Sequence, residues 1–159
     1  MKNVLFKEGI PYKVVGGLKF YERAEIRDML AYFRLVLQPS DDLAFERIIN
    51  KPARGIGEKT IDKFRNRAKA DAIPLYQAMV SMTTEGAFSG KTKNALENFI
   101  NLMTEWRRIM QAIPLGEFAE TIVDESGYMA MLEQDKSVEA PGRIENIKEL
   151  ISVMSDEEN

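Results

Sequence analysis

The sequence contains no cysteine and no histidine. Without cysteine there is no disulfide and no thiolate metal site. Without histidine, the usual zinc ligand, the serine–histidine catalytic pair and the side chain that titrates nearest pH 7 are all missing. Carboxylate-based chemistry is the main enzymatic route left open. Long apolar runs are missing too. No stretch reaches the ~20 residues needed to cross a bilayer, and the N-terminus lacks the basic, apolar and small-residue order of a secretion signal.

What is present describes a globular chain. Its 159 residues suffice for one domain with a real core, and 45% apolar with 30% charged residues is ordinary for such a domain. The net charge of −3 does not by itself point to nucleic acid, but its distribution does. Between Lys51 and Lys69 stand seven basic residues (Lys51, Arg54, Lys59, Lys63, Arg65, Arg67, Lys69) and two acidic ones (Glu58, Asp62), a net of +5 that leaves −8 on the rest of the chain. A concentrated positive segment on an acidic body is an electrostatic footprint. A charge run of this kind is also compatible with a plain solvated helix face.

Periodicity predicts helices throughout. Val4–Leu5 reads as the tail of a helix closed by Gly9, and Tyr12–Val15 as a short extended piece ending at Gly16–Gly17. Ile26, Met29, Leu30, Phe33 and Leu37 then share one helical face, with Glu22 and Glu25 in the first turn. Ser40 is placed to cap a short helix carrying Leu43, Ala44, Ile48 and Ile49. Another helix is expected over about 58–70 with Ile61, Phe64 and Ala68 inward. Beyond Pro74 come a short helix (Leu75, Met79, Met82) and a loop over 86–90. A long helix follows over about 92–112 (Leu96, Phe99, Ile100, Met103, Met110), and then a face of Phe118, Ile122 and Val123 closing near Gly127. After a loop around Ala140–Gly142, Ile144, Ile147, Ile151 and Met154 mark a last helix. The expected fold is all-α, a compact multi-helix domain with one short N-terminal strand that has no partner in this chain.

The segment that concentrates the chemistry is "KPARGIGEKTIDKF", residues 51–64. Two helices joined by Gly-Ile-Gly, with Lys and Thr opening the second, form the pattern of a helix-hairpin-helix. Gly55 and Gly57 lack a Cβ, so the backbone there can take positive φ and lie close to a ligand. The amides of the turn and of the following helix start are unpaired, and with the helix dipole they suit a phosphate oxygen. Ile56 is expected to pack between the two helices. Lys59, Thr60 and Lys63 are then within reach of neighbouring phosphates. Such a site reads backbone, not base sequence.

Three other segments invite functional readings that their details weaken. "GAFSGKT" (86–92) imitates a Walker A loop but has three residues, not four, between its glycines, and no apolar strand precedes it. Ser89 as a helix cap explains it better. Asp41–Asp42 and the acidic end Asp156–Glu158 fit helix N-terminal charge and a solvated tail rather than paired catalytic carboxylates. Trp106 beside Arg107 and Arg108 could stack a base, but reads more simply as an anchor on a helix surface. No catalytic residue and no metal ligand set is assigned.

The stretch "GIPYKVVGGLKFYERAEIRDMLAYFRLVLQPSDDLAFERIINKPARGIGEKTIDKF" resembles the start of the 2B subdomain of superfamily 1 DNA helicases of the UvrD/PcrA/Rep type, and "GRIENIKEL" (142–150) resembles the return of that family's chain from 2B to 2A. The likeness is dense over about 9–64, thin over 70–141 and dense again to 150. It implies an ATP-dependent motor that walks 3′-to-5′ on single-stranded DNA, with ATP and Mg bound by RecA-like subdomains and a 2B insertion facing the duplex. Carried over by motif, the duplex contact falls on Arg54, Gly55, Ile56, Gly57, Lys59 and Thr60, with Lys63 beside them from the residue pattern. The implied partners are duplex DNA, gripped without sequence preference, and the motor subdomains of the same chain, with no membrane.

The family's P-loop and its other ATP-site motifs are absent from these residues. The chain therefore reads as an excised subdomain that is not an enzyme alone and holds no cofactor itself. Residues 1–17 are expected to form a boundary segment from 2A, 18–141 the helical 2B body and 142–159 the start of the return. Gly16, Gly17, Gly142 and Arg143 are expected at the hinge on which the subdomain swivels. The implied location is the bacterial cytoplasm, associated with the nucleoid. Two readings of other classes stand beside this one: the DNA-binding hairpin of a base-excision glycosylase, and a protein-docking module with a basic face.

Overall fold

The structure, a computed structural model, describes residues 18–156. Among them are nine helices and no strand: α1 (Leu18–Tyr21), α2 (Ala24–Leu37), α3 (Asp42–Ile48), α4 (Glu58–Asp71), α5 (Leu75–Thr84), α6 (Gly90–Ile109), α7 (Leu115–Glu125), α8 (Tyr128–Gln134) and α9 (Ala140–Asp156). The all-α expectation holds for these residues. The N-terminal helix tail, the short strand at 12–15 and the hinge glycines Gly16 and Gly17 lie outside the described residues.

Helix α2 is the axis of the domain. It packs against α1, α3, α6, α7 and α9, so apolar residues are needed around most of its circumference. Ile26, Met29, Tyr32, Phe33, Leu35 and Val36 are all buried. The same burial takes in two carboxylates, Glu25 and Asp28. Each has partners, as buried charge requires. Asp28 accepts from Arg47 Nε (2.8 Å) and from the Tyr128 hydroxyl (2.5 Å), and Glu25 accepts from Asn146 Nδ2 (2.6 Å). These bonds tie α2 to α3, α8 and α9. Leu37, expected inward, is instead exposed, because it stands in the last turn just before the chain leaves the helix.

An aromatic chain supports the hairpin from below. Phe45 of α3 meets Phe64 of α4 and Tyr76 of α5 edge to face, with centroids 6.2 and 6.5 Å apart, and Phe64 meets Phe88 at 5.8 Å. This geometry adds orientation to simple burial. On the opposite side α7 lies along α9 at very close range. A Cβ added at Gly116 would stand 2.9 Å from Ser155 Cα, so only glycine fits at this contact.

Several local expectations are corrected. The cap of α3 is Asp41, whose Oδ1 accepts from Ala44 N (3.0 Å), not Ser40. Helix α8 was not foreseen, because its seven residues carry too short an apolar pattern to register. The loop expected around Ala140–Gly142 is the first turn of α9, a position where proline is tolerated because its amide needs no intrahelical partner. Helix α9 buries Ile147, Leu150, Val153 and Met154 in the common core. Residue 142, where the return is expected to start, lies within the first turn of this helix. Trp106 is not a surface anchor. It is fully buried, lies edge-on to Tyr32 with centroids 6.0 Å apart, and donates to Glu125 Oε1 (2.9 Å).

Candidate nucleic-acid interface

The Asn50 side chain bridges the turn between α3 and α4. Asn50 Oδ1 accepts from the amides of Arg54 (3.2 Å) and Ile56 (3.3 Å), while its Nδ2 donates to Ile56 O. A short polar side chain bonding nearby backbone is how asparagine organises turns. Gly55 supplies the reversal, with φ at +79°, a region that side chains with a Cβ enter only at a cost. Ile56 is 2% exposed and pins the turn to the core. Gly57 does not hold positive φ, contrary to what the Gly-Ile-Gly pattern suggested. It is the N-cap of α4 with φ −73° and ψ 166°, ordinary extended backbone.

The result is an open helix start. Gly57 O receives the amides of Thr60 and Ile61, both at 3.1 Å. The amides of Gly57, Glu58 and Lys59 find no acceptor among the described residues. The turn beside them is open: a Cβ at Gly55 or Gly57 would meet no atom within 4 Å. Unpaired amides at the positive end of a 14-residue helix, beside an open turn, are suited to an anionic oxygen.

The side chains sort the basic segment into two groups. Arg65 is held by Glu46 (2.5 Å), Glu58 (2.7 Å) and Asp62 (2.5 Å), and Arg67 by Glu85 (3.0 Å) and Asp71 (3.7 Å). Hydrogen bonds to these carboxylates hold both guanidiniums charged, and the pairing with Arg67 lowers the pKa of Glu85. The net of +5 counted along the sequence therefore overstates the free charge, because Glu46 and Glu85 enter from outside the segment. Lys59 and Lys63 are exposed and make no ion pair among the described residues. One helical turn apart, they share a face of α4, and Lys63 Nζ lies 5.8 Å from the Phe88 ring centroid. Thr60 is half-buried beside them. Lys51, before the turn, lies 4.0 Å from buried Asp28.

Arg54 is placed differently from the lysines. Its guanidinium turns inward: Nη1 donates to Ile48 O (2.8 Å) and Ile49 O (2.9 Å), and Nη2 to the Tyr32 hydroxyl. The rings of Phe99 and Tyr32 lie 4.8 and 5.7 Å from its Cζ. The turn thus brings together Gly55, Gly57, Lys59, Thr60 and Lys63 on the outside, with Ile56 and Arg54 behind them. Gly142 and Arg143 lie elsewhere, in the first turn of α9, where Arg143 sits 3.9 Å from both Glu25 and Asp135. Asn50 and Tyr32 went unnoticed in the sequence. Asn50 could have been found as an Asx-type residue four positions before Arg54, whereas Tyr32 looks like any core aromatic.

The other candidate segments have structural roles. Ser89 occupies the N-cap position of α6, and the look-alike loop leads into that helix with no strand before it. Arg107 donates to Val36 O (3.1 Å) and stacks on Tyr76 at 4.7 Å, and Arg108 pairs with Glu105, so neither leaves a free platform beside buried Trp106. Among the described residues no group of three or more acidic side chains is placed to hold a metal ion, and no helix is long and apolar enough to cross a membrane.

Comparison with known proteins gives a consistent family. The family model of the UvrD-like helicase C-terminal domain matches residues 1–159. The chain is 39% identical over 153 residues to the ATP-dependent DNA helicase PcrA of Bacillus subtilis (strain 168), covering 96% of this chain and 21% of that protein. It is 36% identical over 152 residues to DNA helicase II of Escherichia coli (strain K12), with 96% and 21% covered. To DNA helicase II of Rickettsia typhi it is 38% identical over 156 residues, with 98% and 24% covered. The chain spans about a fifth to a quarter of the length of these relatives.

Proposed function

Because the chain belongs to the UvrD-like helicase C-terminal domain family, we propose that it is the part of an ATP-dependent DNA helicase that grips the duplex, through its backbone and without reading sequence. The observation that carries this reading is the open start of α4. Among the described residues, three amides without an acceptor, an open turn beside them and two exposed lysines without an ion pair on the adjoining face form a site for successive phosphates. Nothing in the site presents a donor and acceptor pattern that would distinguish bases.

The division of labour follows. ATP and Mg belong to RecA-like subdomains of the parent protein, and 3′-to-5′ movement on the single strand is generated there. The described residues contribute an all-α body whose hairpin holds duplex ahead of the motor, as suits a DNA-working protein of the bacterial cytoplasm and nucleoid. In this reading a swivel of the body is expected at Gly16–Gly17. The second crossing is expected at Gly142 and Arg143, in the first turn of α9, where Arg143 lies 3.9 Å from Glu25.

The test is a titration of the chain with unrelated duplexes at several salt concentrations. Affinity in the non-specific range, roughly 10⁻⁴ to 10⁻⁶ M, is expected for every sequence. With two or three phosphates neutralised, log K falls against log salt with a slope of about −2 to −3. Lys59→Ala reduces that slope by about 1. Binding that ignores salt, or that favours one sequence strongly, overturns the reading. Binding only to duplexes carrying a damaged base would favour the glycosylase class instead.

A further inference from the structure

The face of Arg54 that meets the core raises a question about its role. An arginine beside a phosphate-binding turn is expected to reach outward, since a guanidinium matches phosphate geometry. Here it faces the other way. Helix α3 ends at Ile48, and its last carbonyls have no partner within the helix. Arg54 Nη1 donates to two of these oxygens, Ile48 O and Ile49 O, with Pro52 O at 3.4 Å. Its charge thus sits at the negative end of α3, where a cation is favoured.

The second half of the guanidinium is fixed as well. Nη2 donates to the Tyr32 hydroxyl, and that hydroxyl donates to Lys51 O (2.6 Å). Burial raises the pKa of this phenol and so keeps its proton in place for the bond. Phe99 and Tyr32 cover the guanidinium. On the turn side, the Arg54 amide is held by Asn50, which also holds Ile56. Arg54 thereby clamps both ends of the segment 48–56: its side chain grips the end of α3, and its backbone is part of the turn.

We propose that Arg54 is a positioning residue and not a phosphate contact, setting the angle at which the amides of Gly57, Glu58 and Lys59 are presented, with Tyr32 and Asn50 as its partners. This inference rests on the duplex-gripping reading for its functional consequence, but its structural content stands on the hairpin alone. It separates two kinds of basic residue in one short segment. Lys59 and Lys63 act on the ligand, and Arg54 acts through the turn.

The test uses the 159-residue chain and two independent readouts. Amide hydrogen exchange reports the turn without DNA. Arg54→Lys keeps the charge but loses the planar fork, and Tyr32→Phe removes only a hydroxyl. Each is expected to speed exchange at the amides of residue 54 and Ile56 by roughly tenfold or more, as loss of a charge-assisted hydrogen bond implies, while α9 stays protected. Duplex titration reports the contact. Arg54→Gln, Arg54→Lys and Tyr32→Phe all weaken binding with the salt slope unchanged, whereas Lys59→Ala lowers the slope by about 1 and leaves turn exchange as it was. Turn exchange unaltered in both Arg54→Lys and Tyr32→Phe overturns the inference. So does a slope reduced by about 1 in Arg54→Gln with binding rescued by Arg54→Lys, since that is the signature of a phosphate contact. If the unmodified chain shows no salt-dependent duplex binding, the duplex reading fails, and the exchange result still decides whether Arg54 positions the turn.

Discussion

The same substitution at two glycines two residues apart is expected to give different stabilities. Gly55 sits at φ +79° and Gly57 at φ −73°, and in neither case would a new Cβ touch the protein. Steric clash with neighbours is therefore removed from the comparison, leaving backbone strain and capping. Alanine in the left-handed region costs about 1–2 kcal/mol, and its smaller unfolded-state entropy returns about 0.4–1 kcal/mol. Gly55→Ala should thus destabilise by about 1 kcal/mol, or about 2–4 °C in Tm for a domain of this size. At Gly57 there is no strain. The entropy gain is offset by alanine being a poorer N-cap than glycine, a loss of several tenths to about 1 kcal/mol, so Gly57→Ala should be close to neutral. Urea denaturation followed by circular dichroism measures both. Duplex affinity should nevertheless fall in Gly57→Ala, because the methyl group enters the space that a phosphate would occupy. A Gly57→Ala variant that loses as much stability as Gly55→Ala would refute the backbone assignment. One that keeps full stability and full duplex affinity would refute the close approach.

Three further outcomes are expected. Ala72 ends α4 in the left-handed region, with φ 55° and ψ 49°, so Ala72→Gly should stabilise the chain by up to about 1 kcal/mol in the same denaturation assay. Gly116→Ala should destabilise by about 1–3 kcal/mol through overpacking, and Ser155→Gly should not fully rescue it, because the Ser155 Cα itself lies 2.9 Å from the added atom. The phenols of Tyr32 and Tyr128 are both raised above 10, chiefly by burial, and for Tyr128 also by its bond to Asp28. A folded-state pKa raised above the unfolded value gives stability that is complete below pH ~10 and is lost as pH climbs beyond it. Alkaline unfolding should therefore begin above about pH 10 and become shallower in Tyr128→Phe, as read by denaturation midpoints against pH.

Much of the molecule was legible in one dimension because helices are local. The 3–4 spacing of Ile26, Met29 and Phe33 and of Leu96, Phe99 and Met103, and the seven-residue spacing of Ile147 and Met154, located helices whose buried faces the structure confirms. The Gly-Ile-Gly turn and the basic run after it were visible for the same reason, and the family followed from their motifs. Which glycine carries positive φ could not be read from the pattern, since both types of backbone accept glycine. The free charge was also hidden, because Glu46 and Glu85 reach Arg65 and Arg67 across 19 and 18 residues of sequence. Arg54 is the clearest case. By sequence it belongs with the lysines that follow it. Only the packing of α2 and α6 behind the turn, which brings Tyr32 and Phe99 against its guanidinium, directs that charge inward. Local spacing selected the helices and the turn, whereas the partners available in three dimensions decided which side chains remained free to meet a ligand.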